Sequence, residues 1–96
     1  MPFQILFQPL PEAQLTGLES TRPKKHKKVL KCLGLLEINP KYPGLNSHRY
    51  DNYDDVFGEK IWESYVENKT PGAYRVFWHY GPDEGEITIV AITPHP

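Results

Sequence analysis

The spacing of the apolar residues changes twice along this chain, and the order of the changes constrains the fold. Apolar residues occupy every second position of residues 3–7 before Pro9, which predicts a short strand. Between residues 24 and 38 they recur at three-to-four spacing until Pro40, which predicts a helix. Three later runs rich in aromatic and β-branched residues predict strands over residues 60–66, 73–80 and 86–93.

Two further segments complete the order of elements. Residues 12–18 can form one or two helical turns, which Thr16-Gly17 weakens. Residues 39–60 are rich in Pro, Gly, Asn and Asp and predict a long connection with a short extended piece at residues 48–50. The order of one strand, two helices and three strands predicts an α+β fold. We expect the helices to pack on one face of a mostly antiparallel sheet.

Length and composition indicate that the chain forms a single domain. Ninety-six residues, 39% of them hydrophobic, are enough for one core, so we expect a single domain over residues 1–96. The only cysteine, Cys32, cannot form an internal disulfide, which favours a reducing compartment. No apolar run reaches the roughly 20 residues of a membrane span, and no export signal is recognisable, so we expect a cytoplasmic protein without a membrane partner.

The sequence predicts no metal and no small-molecule cofactor. Its four histidines lack the spacing of metal ligands, and one cysteine cannot make a zinc knuckle. Glycines flank a predicted hairpin at residues 81–85 and do not form a phosphate-binding loop. Cys32 falls within the predicted helix beside Leu33, where we expect it to be a small core residue.

The charges are polarised along the chain although the formal net charge is only −1. Six of the eleven basic residues fall within ten positions that contain no acid: Arg22, Lys24, Lys25, Lys27, Lys28 and Lys31. If Val29, Leu30 and Leu33 form the core-facing stripe of the helix, the lysines lie largely on its solvent-exposed face. They form either a solvated polar face or an anchor for RNA phosphates. Repulsion between unbalanced like charges favours the RNA anchor.

The central strand of the three predicts a second candidate surface. Alternation over residues 73–80 places Arg75, Phe77 and His79 together on the face that the helices leave open. A guanidinium, an aromatic ring and an imidazole suit contacts with phosphate and bases. Glu63, on the neighbouring strand, would repel RNA if it faced the same side. The alternative is an ordinary exposed Arg and His on a two-faced strand.

Several short motifs occur in an order that spans nearly the whole chain. They are the Lys-rich helix ending in Asn39-Pro40, Gly44-Leu45-Asn46-Ser47-His48, Tyr74-Arg75-Val76-Phe77-Trp78 and Ala91-Ile92-Thr93-Pro94-His95. With these motifs the sequence resembles the RelE/ParE superfamily of toxins from bacterial toxin–antitoxin pairs. The resemblance implies a cytosolic toxin that cuts messenger RNA in the ribosome, or in the ParE branch inhibits DNA gyrase without nuclease activity. It also implies an antitoxin protein as partner.

The resemblance further implies roles for three residues in metal-independent cleavage of RNA. Arg75 matches the strand arginine that contacts the scissile phosphate, and His95 matches a catalytic histidine near the C-terminal strand. His48 matches a basic or histidine position after the same Gly-Leu step. The alternatives are a surface role for His48 and a frayed tail at His95.

Two departures from the family pattern keep a second function open. Pro96 follows His95, where several nucleases of the family have a tyrosine, and their Lys-x-Lys cluster before the central arginine has no clear counterpart here. The leading hypothesis is therefore a ribosome-dependent messenger-RNA endonuclease. The alternative is a non-enzymatic toxin homologue that inhibits gyrase or binds another protein.

Overall fold

The computed structural model describes residues 2–68 and 70–95, in which helices cover one face of a five-stranded sheet. The strands are β1 (Gln4–Phe7), β2 (His48–Arg49), β3 (Trp62–Tyr65), β4 (Tyr74–Tyr80) and β5 (Glu86–Pro94). The helices are α1 (Pro9–Thr21), α2 (Pro23–Ile38) and the short α3 (Asp54–Phe57), with single 3₁₀ turns at Pro43–Leu45 and Asp51–Tyr53. No helix in the described part of the chain is long and apolar enough to cross a bilayer.

The sheet has the order β1-β5-β4-β3-β2. β1 runs parallel to β5, and the other neighbours are antiparallel. The predicted α+β fold is confirmed, including the short extended piece in the long connection. α1 is much longer than the predicted turns because Pro9 and Pro11 lie in its first turn, where a proline costs no helical hydrogen bond.

The main core lies between the helices and the sheet. Val29, Cys32, Leu33 and Leu36 of α2 are buried against sheet residues that include Val76, Trp78, Ile87 and Ile89. The prediction of a core position for Cys32 is confirmed, and burial raises the pKa of its thiol to about 12. The prediction of Leu30 in the core stripe is wrong, since its side chain is 46% exposed. The buried face of α2 contains Cys32 in its place.

A second apolar cluster covers the opposite face of the sheet. Phe77 is fully buried there, with its ring centroid 5.1 Å from that of Tyr50 and 4.9 Å from that of Tyr53. The prediction that Phe77 and His79 lie on an open face is wrong, since the connection before β3 folds back over it. His79 is 7% exposed, with Nδ1 2.9 Å from the carbonyl oxygen of Tyr80. Phe77 therefore has no free surface on which a base can stack.

A bulge in β5 changes which residues face the helices. Phe77 pairs with Ala91, while the next residue, Trp78, pairs with Ile89, so Val90 is an extra residue in β5. Simple alternation would put Ile89 and His95 on the same face. The bulge instead leaves Ile89 with the helices and places His95 on the face that carries Arg75.

Candidate active site

The centre of the candidate site is the carboxylate of Glu63 on β3, which is only 1% exposed. Its Oε1 lies 2.7 Å from Nε2 of His48, and its Oε2 lies 2.9 Å from Nδ1 of His95. Nε of Arg75 lies 3.9 Å from the same Oε2. The structure thus brings together the three residues proposed as catalytic, around an acid that was expected only to repel RNA.

Strand pairing explains how four distant segments meet. His48 on β2 is the direct partner of Glu63 on β3, and Tyr65 on β3 is the partner of Arg75 on β4. Side chains of directly paired residues share a face of the sheet. The bulge in β5 adds His95, which directly follows that strand, to the same face.

His48 is held at both ring nitrogens. Nδ1 lies 2.7 Å from the carbonyl oxygen of Asn46, and Nε2 faces Glu63. Asn46 has a φ of 49°, a left-handed conformation that asparagine tolerates better than most residues and that turns the loop back beneath the ring. Both ring nitrogens therefore face acceptor oxygens, and neither is free for a ligand.

His95 is held differently. Its backbone N–H donates to the carbonyl oxygen of Ala73 at 2.9 Å, so residue 95 continues the sheet pairing and is not a frayed tail. The ring uses Nδ1 toward Glu63, and its side chain is 49% exposed. Among the described residues no hydrogen bond to Nε2 occurs. His95 therefore retains a ring nitrogen that can exchange a proton with a ligand, whereas His48 has both nitrogens engaged.

Arg75 is buried, at 7% exposure, with its guanidinium stacked on the ring of Tyr65 at 3.7 Å from the centroid. Nη1 donates to the carbonyl oxygens of Glu67 at 2.7 Å and Tyr74 at 3.2 Å. Nε is buried and has no hydrogen-bond partner in the described part of the chain. An unpaired buried N–H on a cation is costly, and the nearby anionic Oε2 of Glu63 offsets part of that cost.

Glu67 connects Arg75 to helix α2. While its carbonyl oxygen holds Arg75, its carboxylate accepts hydrogen bonds from Lys25, from Lys28 at 3.2 Å and from the Tyr74 amide at 3.3 Å. Burial alone would raise the pKa of Glu67, but the hydrogen bonds from the two lysines and the Tyr74 amide hold that pKa below its usual value. A distant acid thus balances part of the basic run.

The predicted lysine anchor therefore divides into two groups. Lys25 and Lys28 are paired with Glu67, and Lys25 is only 21% exposed. Lys24, Lys27 and Lys31 are exposed on the same helix and form no salt bridge with any described residue. The RNA anchor was predicted from lysines whose charge no acid balances. Only Lys24, Lys27 and Lys31 fit that description.

Comparison with known proteins places this geometry in a known fold. No protein-family model and no curated protein matches the chain. Among solved structures, the YoeB/ParE toxin from Agrobacterium tumefaciens superimposes with a TM-score of 0.74 at 9% identity, over 97% of this chain and 99% of that one. The chain has the fold of the RelE/ParE toxins.

Two further structures support the same RelE/ParE fold. The YoeB dimer from Staphylococcus aureus has a TM-score of 0.69 at 14% identity, with 100% of both chains covered. The archaeal RelE–RelB complex from Pyrococcus horikoshii OT3 has a TM-score of 0.68 at 14% identity, over 98% of this chain and 96% of that one. The fold implied by the sequence resemblance is confirmed, and function has to be argued from the site.

Proposed function

We propose that this protein is the toxin of a toxin–antitoxin pair and an endoribonuclease that cuts messenger RNA in the ribosome. One observation carries the proposal: a buried carboxylate, Glu63, contacts two half-exposed imidazoles beside the guanidinium of Arg75. This set supplies a proton-transfer group and a cation for phosphate.

The proposed reaction begins with attack of a ribose 2′ oxygen on the adjacent phosphorus. His95 takes the 2′ hydroxyl proton at Nε2, while Glu63 accepts the hydrogen bond from Nδ1 and fixes the ring, as a carboxylate does in other imidazole bases. The bond to the 5′ oxygen breaks, and the imidazolium returns the proton to that oxygen. The products are a 2′,3′-cyclic phosphate and a 5′ hydroxyl.

Arg75 and His48 have charge-stabilising roles in this proposal. The phosphate gains negative charge at the transition state, and the positive charge of the Arg75 guanidinium stabilises it. His48 has no free nitrogen, so we assign it to hold the charge and orientation of Glu63. The residues predicted as catalytic thus separate into a proton carrier, a phosphate ligand and a positioning residue.

The exposed lysines and the structural neighbours support the proposed partners. Lys24, Lys27 and Lys31 offer sequence-independent contacts to ribosomal RNA phosphates. A chain of this fold has been solved in a RelE–RelB complex, which supports an antitoxin partner for this protein.

Expression of the chain in bacteria, with mapping of new 5′ ends in messenger RNA, tests the proposal. We expect growth arrest accompanied by new 5′-hydroxyl ends within translated regions, and neither effect with His95→Ala. His26→Ala is the matched control, because His26 lies on α2 outside the site. Growth arrest without new ends would contradict the nuclease and support a non-enzymatic inhibitor, such as one acting on gyrase.

A further inference from the structure

The ring of Tyr65 contacts two of the three side chains that surround the Glu63 carboxylate. Its face carries the guanidinium of Arg75, whose Cζ lies 3.7 Å from the ring centroid. The His48 ring packs against it in a T-shaped arrangement, with 5.9 Å between the centroids and 75° between the planes. Tyr65 is also the direct partner of Arg75 in the pairing of β3 with β4, so the two side chains share a face of the sheet. No step of the proposed mechanism involves this tyrosine.

The hydrogen bonds of Arg75 hold only one edge of its guanidinium. Nη1 donates to the carbonyl oxygens of Glu67 and Tyr74, while Nη2 makes no hydrogen bond with any described residue. Hydrogen bonds to a guanidinium lie in its plane, because all of its N–H groups do. They leave the group able to tilt about the bonded edge, and a tilt would move Nη2 and the positive charge relative to Glu63.

The Glu63 carboxylate does not prevent this tilt. Its Oε2 lies 3.9 Å from Nε of Arg75, a distance that allows attraction between the charges but is too long for a hydrogen bond. The two carboxylate oxygens are instead in contact with His48 and His95. The face of Tyr65 is therefore the contact that sets the plane of the guanidinium. A cation on an aromatic face is attracted most strongly where water is excluded, and Arg75 meets that condition at 7% exposure.

We propose that Tyr65 is a positioning residue for the cleavage reaction. Its ring fixes the plane of the Arg75 guanidinium beside the phosphate and keeps His48 against Glu63. Both contacts are made by the ring, so an aromatic side chain at position 65 is required and the phenol hydroxyl is not. The inference rests on the proposed ribonuclease function, but it gives Tyr65 no contact with RNA.

NMR of the free protein tests the ring contact without requiring cleavage. Protons above the face of an aromatic ring resonate upfield, so the side-chain protons of Arg75 should be shifted upfield in the wild type and in Tyr65→Phe. Tyr65→Leu keeps an apolar side chain but has no ring, and the upfield shift should disappear. Arg75 protons at ordinary positions in the wild type would show that the guanidinium does not stack on Tyr65 and would overturn the proposal.

Single-turnover cleavage of ribosome-bound messenger RNA tests the role of the ring in the reaction. Tyr65→Phe should retain a rate within about twofold of the wild type, whereas Tyr65→Leu should cut about ten- to a hundredfold more slowly at saturation, as expected for a misplaced reacting group. The half-saturating toxin concentration should stay the same, because Tyr65 does not bind RNA. A rise in that concentration alone would make Tyr65 a substrate contact and overturn the positioning role.

Trp62→Leu is the matched control. Trp62 lies on the same strand, is half-buried like Tyr65 and has the Cζ of Arg49 6.0 Å from its ring centroid, but it packs against the core on the opposite face of the sheet. We expect Trp62→Leu to lower the melting temperature and to cut at the wild-type rate. If it slows cleavage as much as Tyr65→Leu does, the loss reflects damage to the strand, and the proposal is overturned.

The outcomes separate this inference from the proposed function. A wild-type protein that cuts no messenger RNA would refute both the nuclease and the positioning role, even with the upfield shift present. A wild-type nuclease that loses no activity in Tyr65→Leu would refute the positioning role alone. Slower cleavage by Tyr65→Leu, with activity retained in Tyr65→Phe and Trp62→Leu, would support both.

Discussion

The imidazole of His95 lies 2.9 Å from the carboxylate of Glu63, although 32 positions separate them in the sequence. Two features of the sheet create this contact: the pairing of β3 with β4, and the bulge that turns the end of β5 toward the same face. The contact leaves Nε2 of His95 without a protein partner in the described part of the chain. The mechanism proposed above depends on this difference between the two ring nitrogens: Nδ1 contacts Glu63, and Nε2 is available to the substrate.

Glu63→Gln should lower both activity and stability. An amide lacks the negative charge that holds the two imidazoles, and its NH₂ group cannot accept a hydrogen bond. We expect cleavage to fall at least about a hundredfold. The free energy of unfolding should fall by about 1–3 kcal/mol, the usual cost of breaking a hydrogen bond to a charged group.

Urea titration measures the stability and a single-turnover assay measures the cleavage rate. Glu59→Gln is a suitable control because Glu59 is exposed and lies before the same strand. A Glu63→Gln protein with wild-type cleavage would remove the carboxylate from the mechanism.

Arg75→Lys should separate folding from chemistry better than Arg75→Ala does. Sequence alternation placed Arg75 on the face that the helices leave open. Arg75 is instead buried and bonded to the Glu67 carbonyl oxygen, so alanine would also leave that oxygen unpaired. Lysine keeps the charge but cannot stack its head group on Tyr65 and donate in two directions.

We expect Arg75→Lys to fold, as judged by circular dichroism, and to cleave about a hundred- to a thousandfold more slowly. Arg75→Ala should have a lower melting temperature as well. A fully active Arg75→Lys protein would show that a simple positive charge is sufficient and that the guanidinium geometry is not required.

Glu67→Gln should change the pH dependence of stability. The pKa of Glu67 in the folded protein is lowered from its ordinary value of 4.5, so the folded state binds this proton less tightly than the unfolded state does. The stabilisation is therefore present at neutral pH and is lost as the pH falls below 4.5 and through the folded pKa. The difference in unfolding free energy between wild type and variant should be constant near pH 7 and shrink in acid.

Denaturant unfolding of both proteins from pH 7 down to the acid limit of folding tests the linkage. A difference that grows toward low pH would have the opposite sign and would contradict the pairing of Glu67 with Lys25 and Lys28.

The basic run of α2 should respond to mutation in two distinct ways. Replacing Lys24 and Lys27 by Gln should weaken ribosome association and reduce its salt dependence, with little change in stability. Lys25→Gln should lower stability, because the buried end of Glu67 loses a partner. Sedimentation with ribosomes at several salt concentrations, together with melting temperatures, compares the two. Identical effects of the two sets of variants would show that the lysines act as one solvated face.

The parts of the fold that depend on local pattern could be predicted from the sequence. The spacing of Val29, Leu33 and Leu36 is a local property of α2, and the composition of β4 and β5 is a local property of strands. Arg75 and His95 were found through short motifs that resemble a family. Each of these signals lies within a few residues of the feature that it predicts.

Apart from the length of α1, the missed features depend on contacts between distant segments. Glu63 becomes a site residue only when β2, β4 and β5 lie beside β3, and Glu67 neutralises lysines that precede it by about forty positions. The burial of Phe77 follows from the folding of Tyr50 and Tyr53 over the sheet, which a loop rich in Pro and Asp does not indicate. The sequence left the face of Glu63 open, and the local signal of its burial was its place in the otherwise uncharged strand Trp62–Tyr65.

The most direct test of the mechanism is the single-turnover rate at which ribosome-bound messenger RNA is cut by His95→Ala, His48→Ala and the control His26→Ala. We predict that His95→Ala slows cleavage by about a hundred- to ten-thousandfold with ribosome binding preserved, since it removes the proton carrier. His48→Ala should have a smaller effect, and His26→Ala should cut at the wild-type rate. Cleavage by His95→Ala at the wild-type rate would contradict the mechanism and leave Glu63 without an imidazole to orient for proton transfer.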